Sequence, residues 1–277
     1  MNEKKYRYIV ASDLDGTLLM KGEKISPENE AAIREMKDRG ICFVPNSGRT
    51  FTEMPEALLS NPDIRYYIGA DGAAIWDKET NTRTELYMSR EDVATVFDLL
   101  DGYTTSYTVR HGGISYADIK KNDSEGYEKY RISKLYGMFI DYYVKKVDGF
   151  DGFIRSFEGV EMICAFFSDD AEMEECKRRI EALGKFSVAS SEPTNIEIFS
   201  KNAGKGSALL ALADMLGVPH EKTVAVGDSK NDMDMIKKAG ISLAMANASD
   251  EVKAAASRTV CHYTEHVARY ILDNVIE

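Results

Sequence analysis

Residues 10–19 read Val-Ala-Ser-Asp-Leu-Asp-Gly-Thr-Leu-Leu, an apolar run interrupted by two acids one residue apart, Asp13 and Asp15. Residues 6–11 have the continuous apolar character of a strand buried on both faces. Two carboxylates at the end of such a strand repel each other and lose hydration, so they require a cation, a proton or solvent. The rest of the chain must show which.

Outward from this stretch, strand and helix signals alternate. Ser26-Pro27 supplies the N-cap and first position of a helix that stops at Gly40. Residues 41–44 read as a second buried strand, followed by a polar loop and a helix, and "IRYYIGADG" (64–72) reads as a third. This order predicts a parallel sheet, with reactive loops at the carboxyl ends of its strands. The rhythm returns late in the chain: a helix over about 205–216 closed by Gly217, the strand "TVAVGD" (223–228), a helix closed by Gly240 and the strand "ISLAMA" (241–246). Between these halves, "TSYTVRHGGISYAD" (105–118) has a Gly-Gly turn between alternating runs, which predicts an antiparallel hairpin. Helices are expected over 90–101, with Ser89 as N-cap, and over 171–183, ahead of a strand at 186–190. The fold class is α/β: a parallel-sheet domain of residues 1–85 and 194–277, split by an inserted α+β domain over residues 86–193.

At 277 residues the chain has material for one large or two medium domains. Its 44% hydrophobic and 29% charged residues exclude the disordered class. The net charge of −11 disfavours nonspecific binding to nucleic acid or an anionic membrane, so neither is expected as a partner. An anionic substrate would then need a locally positive site. Cys42, Cys164, Cys176 and Cys261 form no C-x-x-C pair, and the first ten residues lack the apolar segment of a signal peptide. No run approaches the roughly 18 consecutive apolar residues of a membrane span. These features predict reduced thiols in a cytoplasmic protein, and nothing in them specifies an oligomeric state.

Four short segments follow strands or open helices of the split domain: "DLDGT" (13–17), "NSGRT" (46–50), "NAGKGS" (202–207) and "GDSKND" (227–232). In a parallel sheet the first, second and fourth converge on one edge, and a helix start brings the third. Each matches a requirement of phosphoryl transfer, which needs an in-line nucleophile and positive charge around the equatorial oxygens. Asp13 can be a carboxylate nucleophile, and Asp15, after which Gly16 turns the chain, a proton donor and acceptor. A hard cation such as Mg2+ would satisfy the Asp13 and Asp228 carboxylates together. The Ser47 hydroxyl and Gly48 amide can hold phosphate oxygens, while Lys205 adds positive charge beside the amides of a helix N-terminus. Alone, "DLDGT" describes an Asp-rich turn and "GDSKND" a capping turn; the four in order describe a site. Arg49 stands open between a phosphate or substrate contact and an ion pair. His262 and His266, four apart, gain no metal role, because Thr264 reads as a helix N-cap that leaves His262 before the helix.

These four segments resemble the motifs of the haloacid dehalogenase-like (HAD) phosphatases, and within them the Cof-type group with a large C2B cap between the second and third motifs. The resemblance spans the whole chain and implies a Rossmann-like core. It also implies that Asp13 attacks phosphorus to form an aspartyl-phosphate, and that Asp15 protonates the leaving alcohol and then activates water. Mg2+ would be held by the Asp13 carboxylate, the Asp15 carbonyl and Asp228. Asn231 would contact phosphate or metal-bound water, and Asp232 would support Lys205 or the metal shell. The cap would close over the substrate and exclude water. The expected activity is hydrolysis of a small phosphorylated metabolite, a sugar phosphate or a phosphorylated cofactor precursor. A phosphomutase, or a noncatalytic phosphoaspartate or metal-binding module, are the alternatives. The chain departs from the family pattern at Asp71, where Asn is usual, and at Ala246, where Gly is usual.

Overall fold

A computed structural model of the protein describes residues 6–21 and 23–276. The chain divides into two compact units, one of residues 1–49, 54–84 and 204–277, the other of residues 50–53 and 85–203.

The first unit is built on five parallel strands in the order Arg258–Thr259, Ile241–Ala244, Thr223–Gly227, Tyr8–Ser12 and Ile41–Pro45. Every residue of Tyr8–Ser12 is buried, as its unbroken apolar run requires of a strand covered on both faces. It lies between two neighbours, with Val10 opposite Val224 on one side and Phe43 on the other. The loops after three adjacent strands therefore leave the same sheet edge, at Asp13, Asn46 and Asp228. Helix Pro27–Asp38 starts where the sequence indicates: the Ser26 hydroxyl accepts the Asn29 amide at 3.2 Å, and Pro27 takes the first helical position. Ala32, Ile33 and Met36, three and four apart, turn into the core.

The third expected strand behaves differently. Tyr66–Gly69 meets the parallel sheet through the isolated bridge of Ile68 to Asn46 and packs Tyr66 and Ile68 against Cys42 and Val44, but its ladder is antiparallel, with Ala74–Asp77, in a separate three-stranded sheet. Ala70 and Asp71 adopt left-handed φ of 49° and 48°, so the chain reverses there instead of crossing over.

The second unit holds a six-stranded sheet in the order Phe186–Ala189, Asn195–Ser200, Met162–Phe167, Thr105–His111, Ile114–Asp118 and Lys145–Val147. The Gly112-Gly113 turn closes the expected hairpin, with both glycines at positive φ and His111 opposite Ile114. Tyr107, Val109, Ile163 and Phe167 pack with helices Arg90–Leu100 and Asp170–Ala182 in one core; Ala117, Cys164 and Phe166 pack with Tyr130 and Ile140 in another. This unit ends at Ala203 rather than at the expected residue 193. The physical reason is Asn195–Ser200, whose Ile196 and Ile198 face Ala165 and Ile163 across an antiparallel ladder and complete this sheet.

No helix among the described residues is long and apolar enough to cross a membrane. All four cysteines are unpaired, three of them buried. The last helix, Val267–Asn274, begins after His266, not at Thr264, and the His266 ring meets the Ser26 hydroxyl at 2.8 Å.

Candidate active site

Asp13 is the first residue past strand Tyr8–Ser12, and its amide still donates to Val226 O at 3.0 Å, so the sheet fixes its backbone. Its side chain is nearly buried, with Oδ1 accepting the Lys205 ammonium at 2.7 Å. Lys205 opens helix Lys205–Leu216 and is 1% exposed; the same Nζ donates to Asp232 Oδ1, also at 2.7 Å. Asp232 Oδ2 in turn accepts the amides of Asp228 and Ser229 at 2.9 and 3.1 Å. Lys205 thus clamps the loop after the first strand to the loop after Thr223–Gly227.

Gly16 makes this approach feasible. Its φ is +82°, and a Cβ there would lie 2.6 Å from Asp228 Oδ2. The Thr17 hydroxyl donates to Asp228 Oδ1 at 3.2 Å, and the Asn247 side-chain amide donates to Gly16 O at 2.8 Å. Neither Thr17 nor Asn247 was singled out by the sequence; Thr17 sits inside "DLDGT", whereas Asn247 carries no local signal. A second close approach lies at Gly72, where a Cβ would fall 2.1 Å from Gly204 O. The turn at residues 70–72 consequently packs directly on the backbone that leads into Lys205.

The electrostatics follow from burial. Desolvation, then the neighbouring Asp232 carboxylate, pushes the Asp13 carboxyl well above its ordinary range, against the pull of Lys205. The same two causes, in the same order, raise Asp228 to about 6. Burial works against the charge on Lys205, yet Asp13, Asp232 and Asp71 outweigh it and hold its pKa well above normal. The cluster therefore has excess negative charge.

A hard divalent cation fits this arrangement. Carboxylate oxygens of Asp13, Asp228 and Asp232 lie within 4.8 Å of one another, and this is the one such group of three found among the described residues. Asp232 is already committed to Lys205 and two amides, so Asp13 and Asp228 are the carboxylates best placed to bind it.

Other expected site residues stand differently. The Asp15 side chain is 61% exposed and is gripped by Arg49, with Nε to Oδ2 at 3.0 Å and NH2 to Oδ1 at 2.8 Å. Ser47 is buried and its hydroxyl accepts the Arg49 amide at 3.2 Å. Gly48 packs beside Asp71, whose Oδ1 would be 3.1 Å from a Cβ at that glycine. Asn231 Oδ1 accepts the Ser229 hydroxyl at 2.6 Å. One expectation is corrected: the helix N-terminus at Lys205 does not offer its amides to an anion, because Gly206 N and Ser207 N donate to Asp234 Oδ2 at 2.8 and 3.1 Å. A carboxylate already neutralises that positive end.

The family model described as haloacid dehalogenase-like hydrolase matches residues 10–271. Two Bacillus subtilis proteins, the 5-amino-6-(5-phospho-D-ribitylamino)uracil phosphatases YcsE and YwtE, are 30% and 29% identical to the chain. The first match covers 90% of this chain and 87% of YcsE, the second 96% of this chain and 97% of YwtE. A haloacid dehalogenase-like hydrolase from the same organism superposes with a TM-score of 0.83 at 26% identity, over 97% of this chain and 100% of the other. The fold and these relatives define a phosphatase, a hydrolase of phosphoric monoesters. The chain belongs to the haloacid dehalogenase-like hydrolase family.

Proposed function

We propose that this protein is a Mg2+-dependent phosphatase that hydrolyses small phosphomonoesters through an aspartyl-phosphate on Asp13. The observation that carries the reading is the Asp13–Lys205–Asp232 chain at the end of strand Tyr8–Ser12, with Asp228 facing it. A buried carboxylate held by an ammonium has one oxygen fixed and the other directed to react.

In the first half-reaction an Asp13 oxygen attacks phosphorus and the bond from phosphorus to the leaving alcohol breaks, while Asp15 gives that alcohol its proton. In the second, Asp15 takes a proton from water as the water attacks the aspartyl-phosphate, releasing inorganic phosphate and restoring the Asp13 carboxylate. The Ser47 hydroxyl, the Gly48 amide, Asn231 and Lys205 hold the phosphoryl oxygens. Mg2+, held by the Asp13 and Asp228 carboxylates and the Asp15 carbonyl, would supply positive charge to offset the negative charge of the phosphoryl group. Asp232 acts at one remove, by orienting Lys205.

The substrate class is a phosphorylated sugar or polyol, or a cofactor precursor carrying one. Two relatives named for a phosphoribitylamino-uracil support this class. The unpaired cysteines suit a reducing, cytoplasmic setting. The test is a panel of phosphomonoesters with Mg2+, with chelator and Asp13→Asn as controls. Release of phosphate that both controls abolish is expected; no turnover across the panel, or full activity in Asp13→Asn, would overturn the reading.

A further inference from the structure

Asn46 is fully buried just past strand Ile41–Pro45, and it joins elements that carry different parts of the site. Its backbone amide donates at 2.8 Å to the carbonyl of Ser12, the residue before Asp13, and the next amide, Ser47 N, donates to Ile68 O at 3.0 Å. Its side-chain Nδ2 donates to Lys205 O at 3.0 Å, with Met235 Sδ 3.6 Å away. A carbonyl only accepts, so the amide nitrogen and not the amide oxygen must face Lys205. That leaves Oδ1 buried and facing no hydrogen-bond donor among the described residues. Such an acceptor costs stability, and an apolar side chain of the same shape would not carry that cost. Packing alone therefore does not account for an amide here. What the side chain does hold is the backbone of Lys205, and through Ser12 it holds that backbone beside Asp13.

Lys205 carries its ammonium at the end of a flexible four-carbon stem. Asp13 and Asp232 each accept one of its three protons, which leaves one for a phosphoryl oxygen. As the phosphoryl group passes between two oxygens, its equatorial oxygens flatten toward a plane and charge spreads over them. A cation accelerates the step by standing where those oxygens will be, not by following them from the bound tetrahedral group. The two carboxylates fix the stem at Nζ, and Asn46 fixes it at the backbone.

We propose that Asn46 is a positioning residue for phosphoryl transfer, acting through the Lys205 backbone to set the ammonium for the transition state. This rests on the reading of Asp13 as nucleophile and Lys205 as a phosphoryl ligand, and a comparison of two inhibitors separates the ideas. Orthovanadate becomes five-coordinate on an oxygen nucleophile and mimics the transition state, whereas inorganic phosphate stays tetrahedral. The full chain is assayed with Mg2+ and p-nitrophenyl phosphate. Asn46→Leu keeps the branching of the side chain and removes the amide. It is expected to lower kcat about fivefold and to weaken orthovanadate inhibition by the same factor, the size of one neutral hydrogen bond, while KM and phosphate inhibition move less than about twofold. Its Tm should match or exceed that of the wild type, because the unpartnered acceptor is gone. Asn46→Ala leaves a gap instead, so it should show the same kinetic pattern with a lower Tm. Equal weakening of both inhibitors, an unchanged kcat, or a kcat loss confined to the variant with the lower Tm would overturn the role of Asn46. The wild type calibrates the readout: if orthovanadate inhibits it no better than phosphate, the reading of Asp13 falls and this proposal with it. If orthovanadate is the stronger inhibitor and the Asn46 variants keep the wild-type ratio of the two inhibition constants, only the proposal falls.

Discussion

Replacing Asp228 by Asn should stabilise the metal-free protein while abolishing its response to Mg2+. The Asp228 carboxyl is raised from 3.8 to about 6, chiefly by burial and then by Asp232. An acid whose pKa is raised on folding binds its proton more tightly in the native state. Its contribution is fully present below the unfolded value and is lost as pH rises through 6. At pH 7.5 the ionised group therefore costs about 3 kcal/mol at most, from some two pKa units at 1.36 kcal/mol each. Solvent reaching this partly exposed side chain reduces that to roughly 1–2 kcal/mol. Asn preserves an acceptor for the Thr17 hydroxyl and removes the charge that faces Asp13 and Asp232. The expected gain in Tm is about 2–6 °C for a protein of this size. Thermal unfolding in chelator at pH 7.5 measures it, and repetition at pH 5 should shrink the gap, because the wild-type carboxyl is then largely protonated. Added Mg2+ should raise the Tm of the wild type and leave Asp228→Asn unmoved. A variant less stable than wild type in chelator, or an equal Mg2+ shift in both, would refute the electrostatic argument.

Lys205→Met should destabilise the protein by about 3–5 kcal/mol, because it strips the cation from two buried carboxylates, Asp13 and Asp232; urea unfolding checks this. Asp71→Asn should lower KM for phosphomonoesters and the inhibition constant of inorganic phosphate several-fold, since it removes a buried negative charge that acts on Lys205 beside Gly48; steady-state kinetics decide it. Gly72→Ala should cost about 2–4 kcal/mol, since the added carbon meets Gly204 O at 2.1 Å and the backbone sits at φ 87°; a Tm unchanged from wild type would contradict the packing described.

The parallel core could be read from the sequence because buried strands leave unbroken apolar runs, and Tyr8–Ser12 and Ile41–Pro45 carry them. The meeting of Asp13, Lys205, Asp228 and Asp232 could be anticipated for a related reason: parallel strands send their following loops to one edge. What escaped the sequence depends on partners far along the chain. Asp15 and Arg49 are separated by 34 residues, and no local pattern shows that Arg49 grips that carboxylate rather than a substrate. The capping of Lys205's helix by Asp234 is a contact over 28 residues, and the nearby "NDMDM" reads equally well as more of the same acidic loop. Asn195–Ser200 has the alternation of a strand but nothing that says which sheet it joins. Register across sheets is settled by tertiary packing, not by the segment itself.

The interior position of Tyr8–Ser12, flanked by a strand on each side, has a consequence for biosynthesis. This strand leaves the ribosome before one of its two neighbours, Thr223–Gly227, which lies over two hundred residues downstream. Until that neighbour is made, an apolar strand offers an unpaired edge, while the second unit already has every strand of its own sheet. The ammonium–carboxylate contact of Lys205 with Asp13 joins residues 192 apart and cannot form before the last third of the chain appears. Asp228 and Asp232 follow Thr223–Gly227 directly, so the charge cluster around Lys205 and Asp13 is complete only once the strand that closes this edge has been made.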